Sequence, residues 1–283
     1  MNYRHAFHAG NFADVLKHAV LMMLVEHLKK KSSPFLFLDT HAGRGVYDLS
    51  EAQPQRSGEY KSGIGRLLDL PAASLPPEVA AYVRLVRESA GKDHSAITAY
   101  PGSPVIVALM RRPADRLVLI EKLPKEADAL RAAVGRQRLV SVIDGDGYAA
   151  LKAHLPPREG RGLVLIDPPY ESELEFDKVL AALEVAHERW PAGMYCVWYP
   201  LTDRAGPARF HRSIERAGIR KALDVTLHVL PSDAQVGMGG AGLVIINPPW
   251  QLDDRLKELM PRLHKLLSPE GLGGSSVEWI VPE

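Results

Sequence analysis

Residues 162–170 read Gly-Leu-Val-Leu-Ile-Asp-Pro-Pro-Tyr, a short apolar run that stops abruptly at an acid, two prolines and an aromatic. Such a run fits a buried strand, and its prolines can neither continue a ladder nor occupy a helix interior. Asp167, Pro168, Pro169 and Tyr170 are therefore expected just past the carboxyl edge of a sheet. In open α/β sheets, ligands bind at that edge. Further strand candidates at 35–39, 117–121, 139–144, 194–199, 222–229 and 243–247 alternate with helical patterns, and 276–281 can add an edge strand. This alternation gives an α/β fold with a mostly parallel sheet covered by helices on both faces.

A chain of 283 residues can bury one large core, as a single domain or as a domain with an insertion. No apolar run approaches the length of a membrane span, and the first residues lack the apolar stretch of a signal peptide. Cytoplasmic residence is the expectation. The single Cys196 lies in an apolar run, which excludes a disulfide framework and a cysteine zinc site. A net charge of only +1 means that any contact with nucleic acid is patchy and shape-selective.

The first strand runs into Asp39-Thr-His41-Ala-Gly43-Arg-Gly45, whose glycines allow a tight turn and close approach of backbone to a ligand. A dinucleotide fingerprint wants a third glycine where Asp48 stands. The second strand ends in Glu121, suited to accept from ribose hydroxyls. The third leads to Asp144-Gly-Asp146-Gly147, where Asp146 suits an adenine amino group. Glu121 lies about 80 residues after the glycine loop, where roughly 20 is usual, so residues 48–102 read as an inserted helical subdomain with helices near 63–70 and 78–90. Ser103-Pro104 then reads as a helix cap followed by proline at the first helical position, with Ser103 also a candidate cofactor contact.

At the other end, residues 2–11 concentrate aromatic and basic side chains, and Asn11 can cap a helix ending at Lys29, Lys30 and Lys31. Leu16, Val20, Met23, Leu24 and Leu28 form its apolar stripe, while Asp14, Lys17 and His18 lie near one another on a different face. His5 and His8 lack a clear third ligand, so no metal is expected. Tyr3, Arg4, His5 and Lys17 suit a base and phosphates.

The tetrapeptide at 167–170 suits methylation of an amino nitrogen conjugated to a ring or carbonyl. Such a nitrogen is a poor nucleophile until acceptors hold its N–H bonds, and Asp167 with the Pro168 carbonyl can supply them. Tyr170 offers a flat face for a flipped base. It resembles the Asp-Pro-Pro-Tyr motif of amino-methyltransferases that use S-adenosylmethionine. Glycine loop, ribose acid, adenine acid and this motif follow in the order of a class I methyltransferase. The expected fold is thus Rossmann-like, with a seven-stranded, mostly parallel sheet and a small helical insertion.

The whole chain closely resembles the bacterial 23S ribosomal RNA adenine-N6 methyltransferases of the RlmJ type. The match rests on Tyr-Arg-His-Ala-Phe-His-Ala-Gly-Asn at 3–11, Asp-Val-Leu-Lys-His at 14–18, Leu-Asp-Thr-His-Ala-Gly at 38–43 and Tyr-Pro-Gly-Ser-Pro at 100–104. Asp-Pro-Pro-Tyr at 167–170, Trp-Tyr-Pro at 198–200, Ile-Asn-Pro-Pro-Trp at 246–250 and the ending Trp-Ile-Val-Pro-Glu complete it. The resemblance implies a monomeric enzyme that moves a methyl group from S-adenosylmethionine to one adenine of 23S ribosomal RNA. It implies that His18, His41, Gly43, Ser103, Glu121, Asp146, Gly147 and Asp167 hold the cofactor, with Asp167 also the catalytic acceptor. Tyr3 would lie beside the target base, and His5, Lys17, Pro168 and Tyr170 would complete the reacting site. The chain departs from the family at Ile-Glu-Lys-Leu around Glu121, where the family tends to carry Thr-Glu-Leu-His. DNA adenine methylation, protein-glutamine methylation and non-catalytic RNA binding stay open as alternatives.

Asn247-Pro248-Pro249-Trp250 echoes the first motif but follows a strand remote from the cofactor acids, and a structural role is expected for it. Arg209, Arg212, Arg216, Arg220 and Lys221 read mainly as a solvated helical face. Trp198 and Trp250 read as core or rim aromatics.

Overall fold

Asn11 sets the entry to the fold. Its side-chain oxygen accepts from the N–H groups of Ala13 and Asp14, both at 3.0 Å, and so opens helix α1 (Phe12–Lys29). The expected apolar stripe is buried, but so is nearly every other residue from Phe12 to Val25, including Asp14, Lys17 and His18. One face of α1 meets the sheet and another is covered by residues of the 48–102 stretch. A computed structural model describes residues 5–90, 98–172, 174–202, 205–230 and 238–283.

After α1 come β1 (Leu36–Asp39), β2 (Val46–Asp48), α2 (Ala52–Ser57), a π-helical turn at Lys61–Gly65, α3 (Arg66–Leu68), α4 (Pro77–Ser89) and β3 (Ala99–Pro101). Strands β2 and β3 pair antiparallel, so the two ends of the inserted stretch meet beside the glycine loop. The alternating core follows: α5 (Ser103–Met110), β4 (Arg116–Glu121), α6 (Pro124–Val134), β5 (Val140–Asp144), α7 (Gly147–His154), β6 (Gly162–Ile166), α8 (Leu174–Arg189) and β7 (Met194–Pro200). The chain closes with α9 (Ala205–Arg216), β8 (Ala222–His228), β9 (Gly240–Ile246), α10 (Leu252–Leu267) and β10 (Gly274–Val281).

The main sheet runs β10-β8-β9-β7-β6-β1-β4-β5. Strands β7, β6, β1, β4 and β5 are mutually parallel, whereas β9 is antiparallel to both β7 and β8. This is the Rossmann-like, mostly parallel arrangement that the order of motifs led us to expect. Its sheet has eight strands, the seven expected and the edge strand read at 276–281, which is β10 and pairs antiparallel with β8. Alternate residues of β1 and β6 enter different cores: Phe37, Leu163 and Leu165 pack with α1 and the insertion, while Leu36, Leu38, Val164 and Ile166 pack with α7, α8 and α9.

Strand direction separates the two proline motifs. Because β9 is antiparallel to β7, with Ile246 opposite Tyr195, Asn247 emerges at the amino edge of the parallel strands and Asp167 at the carboxyl edge. There Asn247 takes a left-handed backbone conformation (φ +52°), and its side-chain amide donates to the carbonyls of Pro191 at 2.8 Å and Gly193 at 2.7 Å. Trp250 is 87% exposed, whereas Trp198 is buried. We expect Asn247→Ala to lower unfolding free energy by about 2–3 kcal/mol, through two lost hydrogen bonds and a strained φ, while ligand affinity at the opposite edge stays unchanged. Urea denaturation beside a binding titration checks this, and an unchanged midpoint would refute the bracing role.

Candidate active site

The strand order β6-β1-β4-β5 lines up Asp167, Asp39, Glu121 and Asp144 along the carboxyl edge. The loop after β1 turns through Gly43 (φ +62°) and Gly45 (φ +82°), and a Cβ at Gly43 would lie 2.4 Å from the Tyr47 hydroxyl. Glu121 fastens this loop to the end of β4: its carboxylate accepts from the Gly43 N–H at 2.9 Å and from the Leu123 N–H at 2.8 Å. Each oxygen keeps a further lone pair for a ligand. Asp146 caps α7, accepting from Tyr148 N–H at 3.0 Å and Ala149 N–H at 3.1 Å, and its other oxygen lies 3.5 Å from the Lys122 ammonium. Partial burial favours its neutral form, but the Ala149 N–H and Lys122 outweigh that and hold its carboxyl below the usual range. At Gly147 a Cβ would lie 1.9 Å from the Thr40 carbonyl oxygen, so a side chain there would push α7 off the loop after β1.

The densest electrostatics lie where α1 meets the end of β6. The Lys17 ammonium donates to Asp167 Oδ2 at 2.5 Å and sits 2.9 Å from Asp14 Oδ1. Asp14 Oδ2 also accepts from the Gly10 N–H at 2.9 Å and lies 3.1 Å from His5 Nε2. Burial works against the charge on Lys17, but Asp14 and Asp167 outweigh it and hold its pKa well above the usual lysine range. Asp14 feels the same opposition: burial would raise its pKa, yet His5 and Lys17 hold it well below the carboxylate range. Asp167 Oδ1 and the Pro168 carbonyl have no hydrogen-bond partner among the described residues, which leaves two acceptors side by side at the strand end.

Behind this pair lies Asp39, fully buried, accepting from the Ser103 hydroxyl at 2.7 Å and the His41 N–H at 3.2 Å. Burial raises its pKa to about 7 against the opposing Ser103 bond, and the nearby Asp167 charge adds to the rise. Ser103 therefore serves a different end from the cap expected of it. Gly102 occupies the cap position of α5, Ser103 is already helical, and its hydroxyl turns to the β1 carboxylate. His41 is neutral, its pKa lowered to about 4 by burial. The Thr40 hydroxyl donates to the Leu165 carbonyl at 3.0 Å and so accepts from His41 Nδ1 at 2.8 Å, which makes His41 Nε2 the acceptor of that ring. His18 is also neutral, lowered to about 3 chiefly by burial. Its Nδ1 lies 2.8 Å from the Tyr100 hydroxyl, itself 2.7 Å from that of Tyr82, while His18 Nε2 is buried without a partner among the described residues.

Tyr170 anchors its hydroxyl on the Trp198 carbonyl at 3.0 Å, with its ring 4.8 Å from Phe176 and 5.9 Å from Trp198. His5 turns an edge to Tyr47 at 4.9 Å. The structure thus gathers His5, Lys17, His18, His41, Gly43, Ser103, Glu121, Gly147, Asp167, Pro168 and Tyr170 around one edge, with Asp146 at its rim. Tyr3 and Arg4 fall outside the described residues. Asp14, Asp39, Tyr100 and Trp198 belong to the same cluster but were not chosen from the sequence. For Asp39 a signal existed, since it ends the strand before the glycine loop as Asp167 ends its own.

A neutral, orphaned imidazole nitrogen, a glycine turn and a row of strand-end carboxylates suit a ligand that carries a sulfonium, an ammonium and a ribose. This donor set fits S-adenosylmethionine. Among known proteins, the family described as "Ribosomal RNA large subunit methyltransferase D, RlmJ" matches residues 32–281. The chain belongs to this family. Two curated relatives named ribosomal RNA large subunit methyltransferase J match over the full length of both chains, one from Haemophilus influenzae at 45% identity and one from Escherichia coli at 42%. A crystal structure of a Legionella pneumophila protein superposes with a TM-score of 0.87 at 36% identity, covering 96% of this chain and 98% of that one. As a methyltransferase of the RlmJ family the protein uses S-adenosylmethionine. Asp39 makes its ligand-free form sensitive to pH. Its raised folded-state pKa contributes stability that is fully present below the unfolded carboxylate pKa and is lost as pH rises through about 7. Thermal melts of the ligand-free protein from pH 5 to 8 should show this loss, and Asp39→Asn should flatten it. An identical slope in Asp39→Asn would refute the assignment.

Proposed function

We propose that the protein methylates the N6 amino group of one specific adenine in 23S ribosomal RNA. The reading rests on one observation: a Lys17-bound Asp167 at the end of β6 that leaves Oδ1 and the Pro168 carbonyl open as adjacent acceptors. S-adenosylmethionine supplies the electrophilic methyl group when bound. His18, His41, Gly43, Ser103, Glu121, Asp146 and Gly147 hold it, with Ser103 acting through Asp39. The flipped adenine presents its N6 protons to Asp167 Oδ1 and the Pro168 carbonyl, which draw the nitrogen towards a tetrahedral geometry and direct its lone pair at the methyl group. Lys17 fixes the carboxylate, so Asp167 orients and polarises the amino group. As the nitrogen–methyl bond forms the methyl–sulfur bond breaks, leaving the demethylated cofactor as a neutral thioether, and the surplus N6 proton passes to water after transfer. Tyr170 and Tyr3 flank the base, and His5 braces the Asp14–Lys17 pair from the pocket side. Proximity and alignment of nitrogen with methyl contribute much of the acceleration.

The family resemblance also supports a monomer acting in the cytoplasm without a metal, and residues 48–102 working as a subdomain over the cofactor loop. Among the described residues, no helix is long and apolar enough to cross a membrane.

Incubation with methyl-labelled S-adenosylmethionine and unmodified 23S ribosomal RNA, followed by nucleoside mass spectrometry, tests the reading. We expect N6-methyladenosine at a single site. Asp167→Ala should lower kcat by about 10²–10³-fold, the scale of losing one preorganised polar contact to the reacting group, with cofactor affinity within a few fold of wild type. Label in DNA or protein instead, or full activity in Asp167→Ala, would overturn it.

A further inference from the structure

An RNA substrate faces an electrostatic obstacle at this site. The carboxyl edge gathers Asp39, Glu121, Asp146, Asp167 and Glu175, and its lysines are already committed, Lys17 to Asp14 and Asp167, Lys122 to Asp146 and Lys178 to Glu175, while the whole chain carries a net charge of only +1. Phosphates need attraction from a neighbouring surface. Helix α9 has the right placement, because β7 delivers it from the carboxyl edge next to β6, and it packs beside α8, which follows the Asp-Pro-Pro-Tyr turn. Phe210 meets Phe176 at 5.6 Å, and Ile214 is buried. On the opposite face, Arg209, Arg212 and Arg216 recur at helical spacing and are exposed. None of the three makes a hydrogen bond or ion pair among the described residues.

Three arginines of the amino edge differ. Arg111 donates to the Asp115 and Arg138 carbonyls, Arg112 to Asp115 and the Lys31 carbonyl, and Arg161 to the Leu28 and Ser33 carbonyls, so these guanidinium groups fasten loops. Successive α9 arginines lie about 5–6 Å apart along one face, a ladder for single charges along a strand.

We propose that Arg209, Arg212 and Arg216 of α9 form a phosphate track that holds the ribosomal RNA backbone flanking the target adenine. The proposal rests on the RNA substrate reading above. The track supplies attraction that the acidic edge cannot, and it acts on RNA capture rather than on methyl transfer.

The test is filter binding of unmodified 23S ribosomal RNA across a KCl series, with methyl transfer measured in parallel. The charge reversal Arg209→Glu/Arg212→Glu/Arg216→Glu should weaken RNA binding at least tenfold and flatten the slope of log affinity against log salt by about two to three, one ion release per phosphate contact. Cofactor affinity and kcat at saturating RNA should stay within twofold of wild type. The lysine triple variant at the same positions should keep the salt slope, which separates charge from any loss of fold. Unchanged RNA affinity and slope in the glutamate variant would overturn the track. So would an equal loss from Lys30→Glu/Lys31→Glu/Arg138→Glu at the amino edge, since attraction would then be diffuse. Wild-type protein that binds the RNA without methylating it would sink the substrate reading alone, and the binding arm would still decide the track.

Discussion

A single ammonium group, that of Lys17, ties the carboxyl edge of the sheet to the start of the chain. It lies between the carboxylates of Asp14 and Asp167, with both Lys17 and Asp14 almost fully buried. Buried charges of this kind persist only when their partners are fixed, because losing one partner leaves an uncompensated charge at a cost of about 3–5 kcal/mol. The constraint therefore runs outward. Asp14 must be held, which the Gly10 N–H and His5 do, and the entry to α1 must be fixed, which the Asn11 cap does.

The insertion completes that chain of dependence. Glu59 lies 3.0 Å from His8 Nδ1 and accepts from the Asn11 side-chain amide at 3.0 Å, so a carboxylate of the insertion holds the residues that hold Asp14. The Glu59 bond also outweighs burial and raises the His8 pKa. The Ile64 N–H donates to the Gly10 carbonyl at 2.8 Å, and a Cβ at Gly63 would lie 2.1 Å from that same oxygen. Two glycines thus allow the backbones of the insertion and the N-terminal motif to touch. Tyr82 on α4 and Tyr100 on β3 carry the connection on to His18.

Much of this architecture was legible from local pattern. Strands read at 35–39, 117–121 and 139–144 lie within a residue of β1, β4 and β5, because short apolar runs bounded by acids and glycines have few other uses. Helix α1 was legible through its cap, but its all-round burial was not, since a stripe of leucines does not announce a second cover. The pairing of β2 with β3 was missed because both are three residues long and 50 residues apart. The cap reading of Ser103 failed for a related reason: a serine before a proline looks like a cap until its distant partner Asp39 is known. Asp14 and Lys17 were seen to be neighbours, yet Asp167 lies 150 positions further on, and only the sheet order brings it to them.

The reversed direction of β9 carries a lesson about how chemistry is written into a chain. Two strands of one sheet end in a carboxamide or carboxylate, two prolines and an aromatic, and one of these ends only braces a turn. A strand is a vector, and its terminal side chains acquire a substrate only when that vector points to the side where the loops have been arranged to receive one. Counting reactive tetrapeptides in a sequence therefore overestimates reactive sites, and a chain can carry a near-copy of its own catalytic signature without carrying a rival enzyme.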